Sequence, residues 1–122
     1  MDTSKSSRQE ERWIGGAMLF SGRPDPTWNV DPRTMRELES IWTKLPGWSG
    51  SAPSAPALGY RGCFVKGPGS GEWFAYEGMV TRTGQDQSES RRDPDRAFEK
   101  IILASAPKGL VPQAAIPAAL KE

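Results

Sequence analysis

The segment from residue 31 to residue 45 constrains the fold of this chain more than any other. Asp31 and Pro32 are typical of the N-cap and the first turn of a helix. Apolar side chains then recur at helical spacing, and they are Met35, Leu38, Ile41, Trp42 and Leu45. A Pro-Gly pair ends the pattern. The sequence therefore predicts an amphipathic helix over residues 32–45, which must bury one face against another layer of structure.

Three segments rich in apolar, aromatic or β-branched residues predict strands at residues 13–20, 58–66 and 72–83. The last two are joined by the glycine-rich segment 67–71, which is typical of a hairpin connection. We therefore expect these two strands to be antiparallel neighbours.

A second helix is predicted after Asp93-Pro94, which repeats the helix start at residues 31 and 32. Its apolar stripe consists of Ala97, Phe98, Ile101 and Ile102. The order β-α-β-β-α predicts an α+β fold. The economical architecture is a single small domain, in which a mostly antiparallel three-stranded sheet has two helices packed on one face.

The 122 residues are divided by composition into three parts. Residues 1–11 are polar and without periodicity, so they are predicted to form a disordered tail. Residues 12–106 are predicted to form the α+β domain. Residues 107–122 form a Pro/Ala-rich tail, whose apolar side chains are expected to pack on the domain or on a partner.

Composition excludes several chemistries. The chain has no histidine and one cysteine, Cys63, so it lacks the side chains for histidine-based hydrolase sites and for thiolate-rich metal centres. Cys63 is more typical of a buried core thiol than of a nucleophile, since no histidine can serve as its base. The composition thus favours a non-enzymatic protein with no cofactor and no metal. It leaves open simple carboxylate or arginine chemistry and a calcium or magnesium site built from carboxylates, although no EF-hand loop pattern is present.

The net charge and the hydropathy of the chain indicate which kinds of partner and which cellular compartment to expect. The net charge of +1 disfavours a nucleic-acid partner, unless Arg61, Lys66, Arg82, Arg91 and Arg92 gather on one face. No apolar run is long enough to cross a membrane, and the first residues lack the apolar core of a secretory signal. These features favour a cytoplasmic protein with no membrane partner.

The loop over residues 20–32 carries the most suggestive side chains. Its three prolines make it stiff, and it presents Arg23 and Trp28. Arg23 is suited to a carboxylate or phosphate, with Trp28 as a stacking wall. The competing interpretation is a structural elbow, in which Arg23 forms a local ion pair and Trp28 fills the junction between sheet and helix.

The string Phe20-Ser21-Gly22-Arg23-Pro24-Asp25-Pro26-Thr27-Trp28 resembles an F-S-G-R-P-x-P-x-W signature of small bacterial proteins with no assigned function. The later string Leu58-Gly59-Tyr60-Arg61-Gly62 is similar to a further part of the same pattern. The resemblance covers these two strings and their spacing, and it implies no activity.

Three further residues complete the predicted site. Trp48 lies in a loop and is expected to be exposed, Arg61 is expected on an open part of the sheet, and Glu77 is expected in mid-strand, paired with Arg61 or Arg23 if buried. The favoured function is a non-enzymatic module that binds a protein or peptide through the Arg/Trp loop. The alternative is a small-ligand-binding domain with a pocket between loop 20–32 and the sheet.

Overall fold

The computed structural model describes residues 12–19, 24–54, 59–67, 71–84 and 86–120. Within these ranges the chain forms six strands and two α-helices. They are β1 (Trp13–Ala17), β2 (Thr27–Val30), α1 (Pro32–Lys44), β3 (Cys63–Lys66), β4 (Glu72–Tyr76), β5 (Met79–Thr83), β6 (Ser88–Arg92) and α2 (Ala97–Ala104). Two single 3₁₀ turns follow, at Gln113–Ala115 and Ala118–Leu120.

The strands form one six-stranded sheet in the order β2-β1-β3-β4-β5-β6, and every neighbouring pair is antiparallel. The predicted three-stranded sheet with the order β-α-β-β-α is therefore wrong. The predicted pairing of the second and third strands as an antiparallel hairpin is confirmed for β3 and β4, where the Gly67 N–H donates to the Gly71 carbonyl at 2.9 Å. Residues 68–70 of that connection lie outside the described residues.

The predicted strand over residues 72–83 is two strands joined by a tight turn. Glu77 and Gly78 both have left-handed backbone, with φ of 47° and 85°. Two consecutive residues with positive φ are what a two-residue hairpin loop requires, because such a turn matches the twist of the flanking strands. Glutamate rarely adopts this conformation, so the sequence predicted an uninterrupted strand. Glu77 is exposed at the turn and not in mid-strand.

The other two missed strands lie at the edges of the sheet. β2 lies inside the predicted loop 20–32, where Trp28 and Val30 alternate with exposed Thr27 and Asn29 over only four residues. β6 has the sequence SESRR and pairs with β5 along its whole length. Neither strand shows a long apolar pattern, because an edge strand needs few buried side chains to join the backbone ladder.

Both helices exist, and one begins later than predicted. In α1 the Asp31 carboxylate accepts a hydrogen bond from the Thr34 N–H at 2.7 Å, which confirms the predicted N-cap. α2 begins at Ala97, after a turn at residues 94–96. Asp93 still satisfies a helix donor, because its buried carboxylate accepts from the Phe98 N–H at 2.8 Å.

The helices pack on the sheet face that carries Trp73. Its ring lies 5.6 Å from that of Phe98 in α2 and 6.5 Å from that of Trp42 in α1. The C-terminal segment joins the same apolar core through Val111, Ile116 and Leu120, which are all buried. Of the two expected alternatives for this segment, packing on the domain or on a partner, the structure shows the first for Val111 and Ile116, whereas Leu110 is exposed.

Candidate functional site

Trp48 is held in place by strand-like pairing along the edge of β6. The Trp48 N–H donates to the Ser90 carbonyl at 3.1 Å, and the Arg92 N–H donates to the Pro46 carbonyl at 2.8 Å. Gly47 and Arg91 form the bridge between these two bonds. The Arg92 guanidinium consequently lies over the Trp48 ring, with its carbon 4.7 Å from the ring centroid. A cation in this position is attracted by the ring electrons, so the two side chains hold each other.

The paired side chains border an open pocket of about 230 Å³, which is the candidate site and is called the Trp48 pocket below. Its lining residues are Trp48, Glu77, Gly78, Arg92, Pro94 and Arg96. The β4–β5 turn is fixed to the segment that follows β6, because the Asp93 N–H donates to the Gly78 carbonyl at 2.7 Å. The pocket therefore joins three segments that are distant in sequence.

The Arg96 side chain is hydrogen-bonded to the buried carboxylate of Glu99. Its Nε and one terminal nitrogen donate to the two oxygens of Glu99, each at 3.0 Å. The same carboxylate accepts a hydrogen bond from the Tyr60 hydroxyl, and Glu99 is 1% exposed. The hydrogen bonds to Glu99 raise the pKa of Arg96 above its ordinary value. The guanidinium is therefore permanently charged and held in one orientation.

Two lining residues have an unfavourable backbone conformation. Among the described residues, Glu77 and Arg96 are the two non-glycine residues with positive φ, at 47° and 55°. Such conformations cost energy and persist where the surrounding structure imposes them, often at functional sites. Their occurrence together in the lining of one pocket supports its assignment as the candidate site.

The side chains of the Trp48 pocket have unused hydrogen-bonding capacity in the described structure. Within the described part of the chain, the Arg92 guanidinium makes no hydrogen bond, and the Trp48 indole N–H donates at 3.3 Å to the Gly50 carbonyl. Cys63 is fully buried, and burial raises the pKa of its thiol well above the ordinary value. The expected core thiol is thus confirmed.

Among the described residues no group of three or more acidic or cysteine side chains is arranged to hold a metal ion.

The structure brings together two of the five predicted site residues. Trp48 and Glu77 line the same pocket, whereas Arg61 is half-buried before β3 and is not among the lining residues. Arg23 lies outside the described residues. The sequence predicted that Glu77 pairs with Arg61 or Arg23 only if Glu77 is buried. Glu77 is exposed, so the condition for this pairing is not met.

Trp28 is a core residue, so the prediction that it is an exposed recognition aromatic is wrong. It is 6% exposed, and its indole N–H donates to the Ser105 hydroxyl at 2.8 Å, just after α2. The ring lies beside Gly15 of β1, where a Cβ atom would come within 3.0 Å of the indole nitrogen. Trp28 thus fills the junction between sheet and helix, as the structural-elbow interpretation expects.

Arg92 and Arg96 were not predicted as site residues. Arg92 belongs to the basic doublet at residues 91 and 92, which is a local signal, but its pairing with Trp48 depends on contacts across the fold. The basic residues do not gather on one face either. Strand register places Arg82 and Arg91 on the helix side of the sheet, and Lys66 and Arg92 on the opposite side.

Fold and pocket together define a small α+β domain with an open pocket beside one edge of an antiparallel sheet. Comparison of the chain with protein-family models, with curated proteins and with solved structures found no match. In the described ranges, neither helix has the length and apolar character that crossing a bilayer requires.

Proposed function

We propose that this protein is a non-enzymatic module that binds a segment of another protein in the Trp48 pocket. The observation that carries the proposal is the convergence of Trp48 with Arg92 and Arg96 in one open pocket, although the tryptophan and the two arginines come from separate parts of the chain. Tryptophan and arginine are the residues most enriched among those that dominate the energy of protein interfaces.

The size of the pocket favours a peptide over an enclosed small molecule. Ligand sites for small molecules are usually clefts of about 300–1,000 Å³ that surround most of the ligand. The Trp48 pocket has a volume of about 230 Å³ and is open to solvent. It can therefore accept one or two side chains of a longer segment, while the rest of that segment lies across the surface.

Preorganisation supports the same conclusion. Backbone hydrogen bonds to Ser90 and Pro46 fix the position of Trp48 against β6, and Glu99 fixes the orientation of Arg96. Side chains that are already ordered lose little conformational freedom when a partner binds. Little of the free energy of binding is therefore lost in ordering the side chains of the pocket.

A phage-displayed library of random peptides tests the proposal, with the purified protein as bait. Selected peptides are then measured against the wild type and Trp48→Leu. We expect peptides that bind the wild type with micromolar affinity and at least tenfold more weakly to Trp48→Leu. Circular dichroism will show that Trp48→Leu is folded, since its pairing to β6 uses the backbone. The proposal is overturned if no peptide is enriched or if Trp48→Leu binds them all equally.

A further inference from the structure

We propose that the Trp48 pocket recognises a carboxylate, so that the bound segment presents an acidic side chain or a chain end to Arg92 and Arg96. This inference rests on the proposed function and adds the chemical class of the group that is bound. It follows from three features of the pocket: its excess of donors, the occupied face of its aromatic ring, and the distribution of its charges.

Hydrogen-bond donors outnumber acceptors among the side chains of the pocket. A guanidinium has five N–H donors and no acceptor. In the described structure the five N–H groups of the Arg92 guanidinium donate no hydrogen bond. The second terminal nitrogen of Arg96 donates none either. Glu77 is the one lining side chain that is an acceptor alone. A ligand that completes these hydrogen bonds must therefore be rich in acceptors, as a carboxylate is.

One face of the aromatic ring that would attract a cationic ligand is already occupied. Arg92 lies over the Trp48 ring at 4.7 Å, in the place that a lysine or arginine of the partner would take. Stacking also restrains the plane of the Arg92 guanidinium. A restrained fork can bind the two oxygens of a carboxylate in parallel, which a mobile ammonium group cannot do.

The charges of the pocket favour a single carboxylate. Arg96 is compensated by Glu99, so Arg92 is the cation of the pocket without a bonded acid in the described structure. Glu77 is an exposed lining residue that, in the described structure, interacts with Arg96 through its charge but makes no hydrogen bond to either arginine. It will repel a second acid that comes close to it. A segment with one acid is therefore expected to bind better than a polyacidic segment.

Capped amino acids provide the direct test. N-acetyl-glutamate amide, N-acetyl-glutamine amide and N-acetyl-alanine with a free carboxylate are titrated into ¹⁵N-labelled protein. The Trp48 indole N–H and the Arg92 Nε–H are followed by NMR. We expect saturable shifts at both groups, in the millimolar range, with at least one of the two carboxylate probes. Shifts with the first assign the carboxylate to a side chain, and shifts with the third assign it to a chain end.

The matched variants are Arg92→Gln, which removes the charge, and Arg82→Gln, an equivalent change at an arginine that lies 5.3 Å over a different tryptophan, Trp73. We expect Arg92→Gln to abolish the indole shifts and Arg82→Gln to retain them. Equal shifts with the glutamine probe, or no saturable shift with either carboxylate, overturn the inference. Trp48-dependent peptides from the library would in that case leave the proposed function standing.

Discussion

At the scale of the residue, burial decides which polar side chains are structural and which can bind a partner. Tyr60 and Glu99 are buried and bonded to each other, and burial raises the pKa of the Tyr60 hydroxyl. Arg92 is exposed, whereas Trp48 is half-buried and not exposed as the sequence predicted, and the two side chains contact each other. The buried pair fixes Arg96, and the second pair lines the pocket that we propose as the binding site.

The buried thiol of Cys63 predicts a loss of stability at alkaline pH. Burial raises its pKa in the folded state above that of the unfolded chain, which is about 8.5. The unfolded chain thus releases a proton that the folded protein keeps, and stability falls as pH rises above that value. We expect the free energy of unfolding in urea to fall by up to about 1.4 kcal/mol per pH unit for this group between pH 9 and 10.

Cys63→Ala is the variant that isolates this effect. It should lower stability at pH 7 through lost packing, and it should flatten the decline between pH 9 and 10. Tyr60 and Tyr76, whose hydroxyl pKa values are also raised, will cause a further decline above pH 10 in both proteins. An unchanged slope between pH 9 and 10 would show that the thiol is not the cause.

At the scale of the element, the sequence predicted the helices and strands whose residues form a pattern within one continuous segment. Helix α1 was predictable because its cap and its apolar stripe lie within one continuous segment. Strands β2 and β6 were not, because they are short edge strands that depend on pairing with β1 and β5. The Trp48 pocket was missed as a unit for the same reason. Its walls are joined by hydrogen bonds between residues 46–48 and 90–92, which no local periodicity records.

Strand β1 offers a prediction about packing within the sheet. A Cβ atom on Gly16 would lie 2.2 Å from the Cζ atom of Phe64 on β3, so the phenyl ring must move. We expect Gly16→Ala to destabilise the protein by about 1–3 kcal/mol, as overpacking usually does. The measurement is urea unfolding followed by tryptophan fluorescence.

Gly47→Ala is the matched control for this change. A Cβ atom at Gly47 would have no neighbour within 4 Å, and its backbone is not left-handed. Its effect should stay within about 0.5 kcal/mol. Adding Phe64→Leu to Gly16→Ala should recover part of the loss, because the smaller side chain leaves room for the methyl group. Equal effects of the two alanine substitutions would contradict the packing described here.

At the scale of the whole molecule, the C-terminal segment is part of the core and the pocket is part of the sheet edge. Val111, Ile116 and Leu120 are buried with the side chains of the sheet and the helices. The segment thus extends the apolar core beyond α2. The pocket lies where β6 meets the chain that leaves α1, so it depends on the complete sheet.

Ile116 tests the contribution of the C-terminal segment to the core. It is 7% exposed, and truncation of a buried isoleucine leaves a cavity. We expect Ile116→Ala to lower the free energy of unfolding by about 2–4 kcal/mol. Leu110→Ala is the control, since Leu110 is 39% exposed, and it should have little effect. Similar thermal midpoints for both variants would show that this segment does not belong to the core.

The central claim is that the Trp48 pocket binds a protein segment. The most direct measurement compares how substitutions of two arginines in this protein change its affinity for a peptide. Arg92 and Arg82 are both exposed strand residues over a tryptophan, at 4.7 and 5.3 Å, but only Arg92 lines the pocket. Calorimetry gives the affinity of a library-selected peptide for Arg92→Ala and Arg82→Ala. We expect a loss of at least tenfold with Arg92→Ala and less than twofold with Arg82→Ala. Equal affinities would contradict the claim.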